Sequence, residues 1–138
     1  MAAMEERIIV SGGDGVRVFM PPEREPLQQI RLEGAGALCA RKECVFCASD
    51  WGNTVWRLDA QTLVPTGLFA GGPDMRRLLL SADGARLLIL CAEADSVLLL
   101  DAASGAPLVL TRAGVNPQNM ALDESGEVLA VAAGESGE

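Results

Sequence analysis

Ser81-Ala-Asp-Gly-Ala-Arg-Leu-Leu-Ile-Leu-Cys-Ala-Glu93 falls on Asp123-Glu-Ser-Gly-Glu-Val-Leu-Ala-Val-Ala-Ala-Gly-Glu135 when the chain is slid by 42 positions. Gly84 then meets Gly126, Leu87 meets Leu129, Ile89 meets Val131 and Glu93 meets Glu135. The same shift in the other direction lays Ser96 to Ala103 over Thr54 to Gln61, so that Val97 meets Val55, Leu100 meets Leu58 and Asp101 meets Asp59. One unit earlier, Val16-Arg-Val-Phe19 aligns with Val55-Trp-Arg-Leu58 at a shift of 39. A period near 40 marks either four-stranded propeller blades or stacked helical repeats.

The local pattern decides between them. The apolar runs last about five residues, the length of a strand. They are separated by Ser11-Gly-Gly-Asp-Gly15, Asp50-Trp-Gly-Asn53, Ala82-Asp-Gly84 and Glu124-Ser-Gly126, which is hairpin punctuation. No run sustains a helical period over ten or more residues. Each unit therefore reads as a four-stranded antiparallel sheet, and the fold class as all-β, a β-propeller of about three blades per chain.

With the strands of a blade labelled a to d, the first unit supplies b (Ile8 to Ser11), c (Val16 to Phe19) and d (Leu27 to Leu32). The second supplies a (Ala37 to Ala40), b (Val45 to Ser49), c (Thr54 to Leu58) and d (Leu63 to Phe69). The third supplies a (Arg77 to Ser81), b (Arg86 to Cys91), c (Ser96 to Leu100) and d (Pro107 to Thr111). The fourth supplies only a (Asn119 to Leu122) and b (Val128 to Ala132). The whole is one domain, 1–138, in units of about 1–33, 34–74, 75–115 and an incomplete 116–138. Propellers close into rings of about four to eight blades. Two expectations follow: a homodimer closing a six-bladed ring, or a piece of a longer propeller.

Composition narrows the chemistry. The 138 residues carry 11 Lys plus Arg against 19 Asp plus Glu, a net charge of −8, and contain no His and no Tyr. Without His there is no Ser-His-Asp triad, Cys-His pair or His-ligated metal within one chain. The acidic balance argues against nucleic acid as a partner, since phosphates select a basic surface. The start, Met1 to Arg7, has Glu5 and Glu6 where a secretory leader has a basic start and an apolar stretch. Apolar runs such as Leu87 to Ala92 are too short to cross a bilayer. The expected setting is cytoplasmic, with no membrane partner and free thiols.

The cysteines follow from the repeat. Cys47 takes the place of Ile89 and Val131, so it reads as a small apolar core residue. Cys44 takes the place of Arg86 and Val128, and Cys91 that of Ser49 and Ala133. Cys44 and Cys47 are three apart on one strand, so their side chains leave opposite faces. That is poor geometry for joint ligation. No metal and no cofactor are expected.

The segment from Gly72 to Glu135 resembles the YVTN-type β-propeller repeat, which is related to lactonase-like propellers. Gly114-Val-Asn-Pro117 matches the opening of that repeat, Ser81-Ala-Asp-Gly84 its Asp-Gly turn, and Ser96 to Asp101 with Ser104-Gly105 the later strand and turn. The Tyr-Val-Thr-Asn position itself departs, reading Ile89-Leu-Cys-Ala92 in one unit and Val131-Ala-Ala-Gly134 in the next. Met75 stands where one unit would have Pro. The resemblance implies the fold. It also implies a binding scaffold or, as in some relatives, a sugar-lactone hydrolase.

In an up-and-down blade the b–c and d–a loops share one face of the disc. Loops on a rigid scaffold concentrate binding. Candidate binding residues on this face are Asp14, Asp50, Trp51, Asn53, Arg76, Glu93, Asp95 and Asn116, with Glu33, Asp74, Gln118 and Asn119 nearby. Trp51 is the sharpest of them, a Trp in a turn between Asp50 and Gly52 with no evident core role. Trp56 aligns with Leu98 in a central strand and reads as core. Asp59 and Asp101 precede Thr- and Ser-containing turns and read as turn caps. The favoured function is a non-enzymatic scaffold binding a protein or small ligand. The alternatives are a lactonase-like hydrolase with Asp50 or Glu93 as general base, or a fragment with no independent role.

Overall fold

The computed structural model describes residues 7–20, 22, 24–41, 43–50, 52–81, 83–91, 95–112, 117–122 and 129–133. Among them lie thirteen strands and no helix, and so none long and apolar enough to cross a membrane. Sheet one is β1 (Ile8–Gly12), β2 (Gly15–Phe19) and β3 (Gln28–Arg31). Sheet two is β4 (Ala35–Ala40), β5 (Cys44–Ser49), β6 (Thr54–Asp59) and β7 (Pro65–Ala70). Sheet three is β8 (Met75–Leu80), β9 (Arg86–Cys91), β10 (Ser96–Asp101) and β11 (Pro107–Arg112). Sheet four is β12 (Pro117–Leu122) and β13 (Leu129–Ala133). Every pairing is antiparallel between chain neighbours. The strands expected from the repeat lie at these positions to within about two residues.

The central strands explain why their sequence is so uniformly apolar. β5 and β9 are buried on both faces, and strands covered on both sides read as continuous hydrophobic runs. Along β5 the side chains alternate between two interfaces. Val45 and Cys47 join Val16, Val18 and Leu58 between sheets one and two. Phe46 and Ala48 join Val55, Phe69, Leu87 and Ile89 between sheets two and three. β9 repeats the device: Leu87, Ile89 and Cys91 face sheet two, whereas Leu88 and Leu90 join Met120 of sheet four. The core is thus a series of apolar layers, one between each pair of neighbouring sheets.

The turns repeat as faithfully as the strands. The Oδ1 of Asp59 accepts the N–H groups of Gln61 (2.8 Å) and Thr62 (3.0 Å), and the Oδ1 of Asp101 those of Ala103 (3.0 Å) and Ser104 (2.9 Å). The Ala60 N–H donates to the Glu43 carbonyl at 3.1 Å, and the Ala102 N–H to that of Ala85 at 2.9 Å. Both aspartates are turn caps, as their place before Thr and Ser implies.

Candidate functional site

Backbone hydrogen bonds fasten the loops at one edge of the sheets into a continuous row. The Leu32 N–H donates to the Asp14 carbonyl (3.0 Å), and the Gly34 N–H to the Gly13 carbonyl (2.9 Å). These tie the β1–β2 hairpin to the connection leaving sheet one. The Asp50 N–H donates to Gly34 (2.9 Å) and the Gly71 N–H to Asn53 (2.9 Å), carrying the row through the β5–β6 hairpin to the connection into sheet three. The Ser49 hydroxyl adds a bond to the Glu33 carbonyl at 2.6 Å, and the Ser11 hydroxyl one to the Gly36 carbonyl. Satisfying loop N–H and C=O groups in this way holds each loop in one geometry.

Of the candidate binding residues, Asp14, Asp50 and Asn53 stand on this row, while Arg76 lies on β8 and Asp95 in the β9–β10 hairpin beyond it. Asp14 is exposed and pairs with Arg17 at 2.9 Å, a contact that holds its carboxyl below the usual carboxylate range. Asp50 is exposed beside the Gly34 contact. Asn53 and Asp95 are left-handed, with φ of 54° and 52°, at equivalent positions of two hairpins 42 residues apart. Asn and Asp tolerate that conformation better than other non-glycine residues, so turn geometry alone accounts for their residue types. Arg76 pairs with Asp74 at 3.2 Å, so its charge is already engaged. Trp51, Glu93 and Asn116 lie outside the described residues.

The clefts lie elsewhere. One of about 410 Å³ opens at the opposite edge, between sheets two and three, lined by Arg41, Glu43, Arg57, Asp83 and Asp101 with Phe46 at its floor. Its lining comes from four separate chain segments, which is why the reading of hairpins did not find it. The sequence did carry one signal: the 42-residue shift sets Arg57 against Leu99. A second cleft, of about 440 Å³, lies between sheets one and two, lined by Ile30, Trp56, Pro65 and Leu68. This corrects the reading of Trp56 as core. Its ring packs against the layer between sheets one and two, yet the residue is only half-buried and lines this cleft.

The four cysteines are free, and Cys44 and Cys47 pack into different layers, as their spacing on one strand requires. Burial pushes the Cys39 thiol up to about 12 and those of Cys47 and Cys91 to about 11. Among the described residues no three Cys, Asp or Glu side chains converge as metal ligands do.

No protein-family model matches the sequence, and no curated protein does. Solved structures do match the fold. Hydrazine synthase of Kuenenia stuttgartiensis superposes with a TM-score of 0.83 at 12% identity, over 96% of this chain and 40% of that one. KlHsv2 with loop 6CD replaced by a Gly-Ser linker gives 0.74 at 16% identity, over 95% and 45%. A functionally unknown protein from Desulfotomaculum acetoxidans DSM 771 gives 0.74 at 17%, over 86% and 41%. The fold is β-propeller-like and all-β. The chain spans less than half the length of each of these structures.

Proposed function

We propose that this chain is a non-enzymatic β-propeller scaffold whose b–c and d–a loop edge binds a protein or small ligand. The observation that supports this most is the row of backbone bonds from Gly13 through Gly34 and Asp50 to Gly71. A face whose loops are pre-set loses little ordering entropy on binding. On this reading Trp51 anchors the contact, flanked by Asp50, Asn53, Asp14 and Asp95, with Glu93, Arg76 and Asn116 at its margin. The repeats are of the YVTN type, and the cytoplasmic setting accords with four free thiols.

The proposal includes self-association into a six-bladed ring. Sheet one begins at β1, whose outer edge pairs with no strand among the described residues and which carries exposed Ile8 and Val10, the kind of edge that pairs with another chain. Two copies also approach the length of the solved structures that one copy spans by 40 or 45%.

Light scattering on a sizing column tests the assembly: twice the 14.5 kDa chain mass is expected, and a folded monomer at micromolar concentration overturns it. Pull-down with the chain and with Trp51→Ala/Asp50→Ala tests the face. A partner held by the first and lost by the second is expected. Equal capture by both removes the loop edge as the binding surface.

A further inference from the structure

We propose that two copies of this chain join by strand exchange: β12 of each copy gives up its own β13 and pairs instead with β1 of the partner. The exchange rests on the self-association proposed above and names the segments that carry it out.

The two end sheets are unfinished in complementary ways. Sheets two and three each hold four strands, a to d. Among the described residues sheet one holds b, c and d, and sheet four holds a and b. Sheet four thus offers the strand that sheet one wants, and sheet one offers the c and d that sheet four wants. Both hold a strand b, β1 in one and β13 in the other. β1 is bonded to β2, and β2 to β3, whereas β13 is bonded to β12 alone. β13 is therefore the strand that yields. The count agrees, since two copies of thirteen strands exceed six four-stranded sheets by two, one β13 from each copy. Exchange of the same element in both directions closes the pair about a two-fold axis.

Exposure marks the two surfaces that the exchange would cover. At the shift of 39, Arg17 and Phe19 take the places of Trp56 and Leu58. Their hairpin partners correspond in turn, Val10 to Cys47 and Ile8 to Val45. Cys47 and Val45 are fully buried, and so are their counterparts Ile89 and Leu87 in sheet three, because a preceding sheet covers each pair. Ile8 and Val10 are 50% and 45% exposed. At the other end, Met120 of β12 is buried with Leu88 and Leu90 of sheet three. On that same face Leu99 is only half-buried, and Val109, its pair on β11, is exposed. A partner sheet bonded to β12 lies over this face, so the apolar surfaces of both ends leave water together.

The register of the exchange follows from the repeat. β12 sets Met120 opposite Val131, Ala121 opposite Ala130 and Leu122 opposite Leu129. The places of Val131, Ala130 and Leu129 in strand b are those of Val10, Ile9 and Ile8 in β1. Met120 then lies opposite the partner's Val10, and Ala121 opposite the partner's Ile9.

The test is disulfide mapping in the full chain, with its mass from light scattering beside it. Ile9→Cys/Ala121→Cys, treated with oxidised glutathione, should give a 9–121 link between two chains, because opposed strand residues about 5 Å apart are within reach of a disulfide. Ala121→Cys/Ala130→Cys should give no 121–130 link in the dimer. Ile8→Lys/Val10→Lys should keep the circular dichroism of the parent and run at the single-chain mass of 14.5 kDa. Val131→Pro, in the strand that yields, should keep the doubled mass. A dimer that links 121 to 130 and not 9 to 121, or one that Val131→Pro dissolves, overturns the exchange and leaves self-association standing. A parent of single-chain mass overturns both.

Discussion

Leu63 and Gly105 occupy the same point of the same turn in successive sheets, 42 residues apart, and both are left-handed, with φ of 61° and 79°. The Leu63 N–H donates to the Asp59 carbonyl at 2.8 Å and the Gly105 N–H to the Asp101 carbonyl at 2.7 Å. The two turns fill their interiors differently. Leu63 bears the backbone strain of a branched side chain in that region and is 1% exposed, plugging the layer between sheets one and two. At Gly105 the corresponding space, between sheets two and three, is filled from the other side by the ring of Phe69, against which a Cβ would collide.

Gly105→Ala should therefore lower stability by about 2 kcal/mol, from the left-handed backbone and the displaced ring together. Urea denaturation measures it. A change within about 0.5 kcal/mol, the range of a neutral surface substitution, would contradict this packing.

Phe46 is fully buried on β5 and faces sheet three, with the Phe69 ring centroid 6.1 Å away. Phe46→Ala should cost about 3–5 kcal/mol. Leu110, on the outer strand β11 and 68% exposed, should tolerate Ala within about 0.5 kcal/mol in the chain as a monomer. If the Leu110 variant were the weaker of the two, the outer strand would have to be covered in solution.

Acid sensitivity should trace to the turn caps. The N–H groups of Thr62 and Gln61 hold the Asp59 carboxyl below its ordinary 3.8, and those of Ser104 and Ala103 do the same for Asp101. A lowered folded-state pKa contributes stability that is fully present above the ordinary value and is lost as pH falls through the folded one. Stability should thus decline below about pH 4. The double variant Asp59→Asn/Asp101→Asn, which keeps the acceptors and removes the titration, should show a shallower decline. An unchanged acid limb would assign the decline to other carboxylates.

Thiol reactivity should be suppressed by folding. With Cys39 pushed up to about 12, and Cys47 and Cys91 to about 11, little thiolate exists at pH 8. Peptide mapping after iodoacetamide should find these three modified slowly in the native chain and quickly in urea. Equal rates would show that the layers open readily.

The strands were legible because the chain states them repeatedly. Asp59 and Asp101 end equivalent strands, and Cys47, Ile89 and Val131 mark one position of another. Trp56 was misjudged because the exposure of a side chain there depends on how far the neighbouring sheet reaches over it. Ile30 and Leu32 of sheet one leave part of the ring uncovered. No alignment of one strand upon another contains that distance. The cleft was missed for a related reason: Arg41, Arg57, Asp83 and Asp101 come together only when two units are packed. The exchange of Leu99 for Arg57 was visible, but the cleft that Arg57 helps to line was not.

The row that fastens the loop edge is made almost wholly of main-chain atoms: Leu32 to Asp14, Gly34 to Gly13, Asp50 to Gly34 and Gly71 to Asn53. No side chain at positions 14, 50 or 53 takes part in those four bonds. Substitution at positions 14 and 50 can therefore rewrite what the edge presents while leaving its stitching intact, whereas left-handed Asn53 is held to its residue type by the turn. Such a surface is free to change its specificity over generations, or on a laboratory bench, without re-solving the fold beneath it.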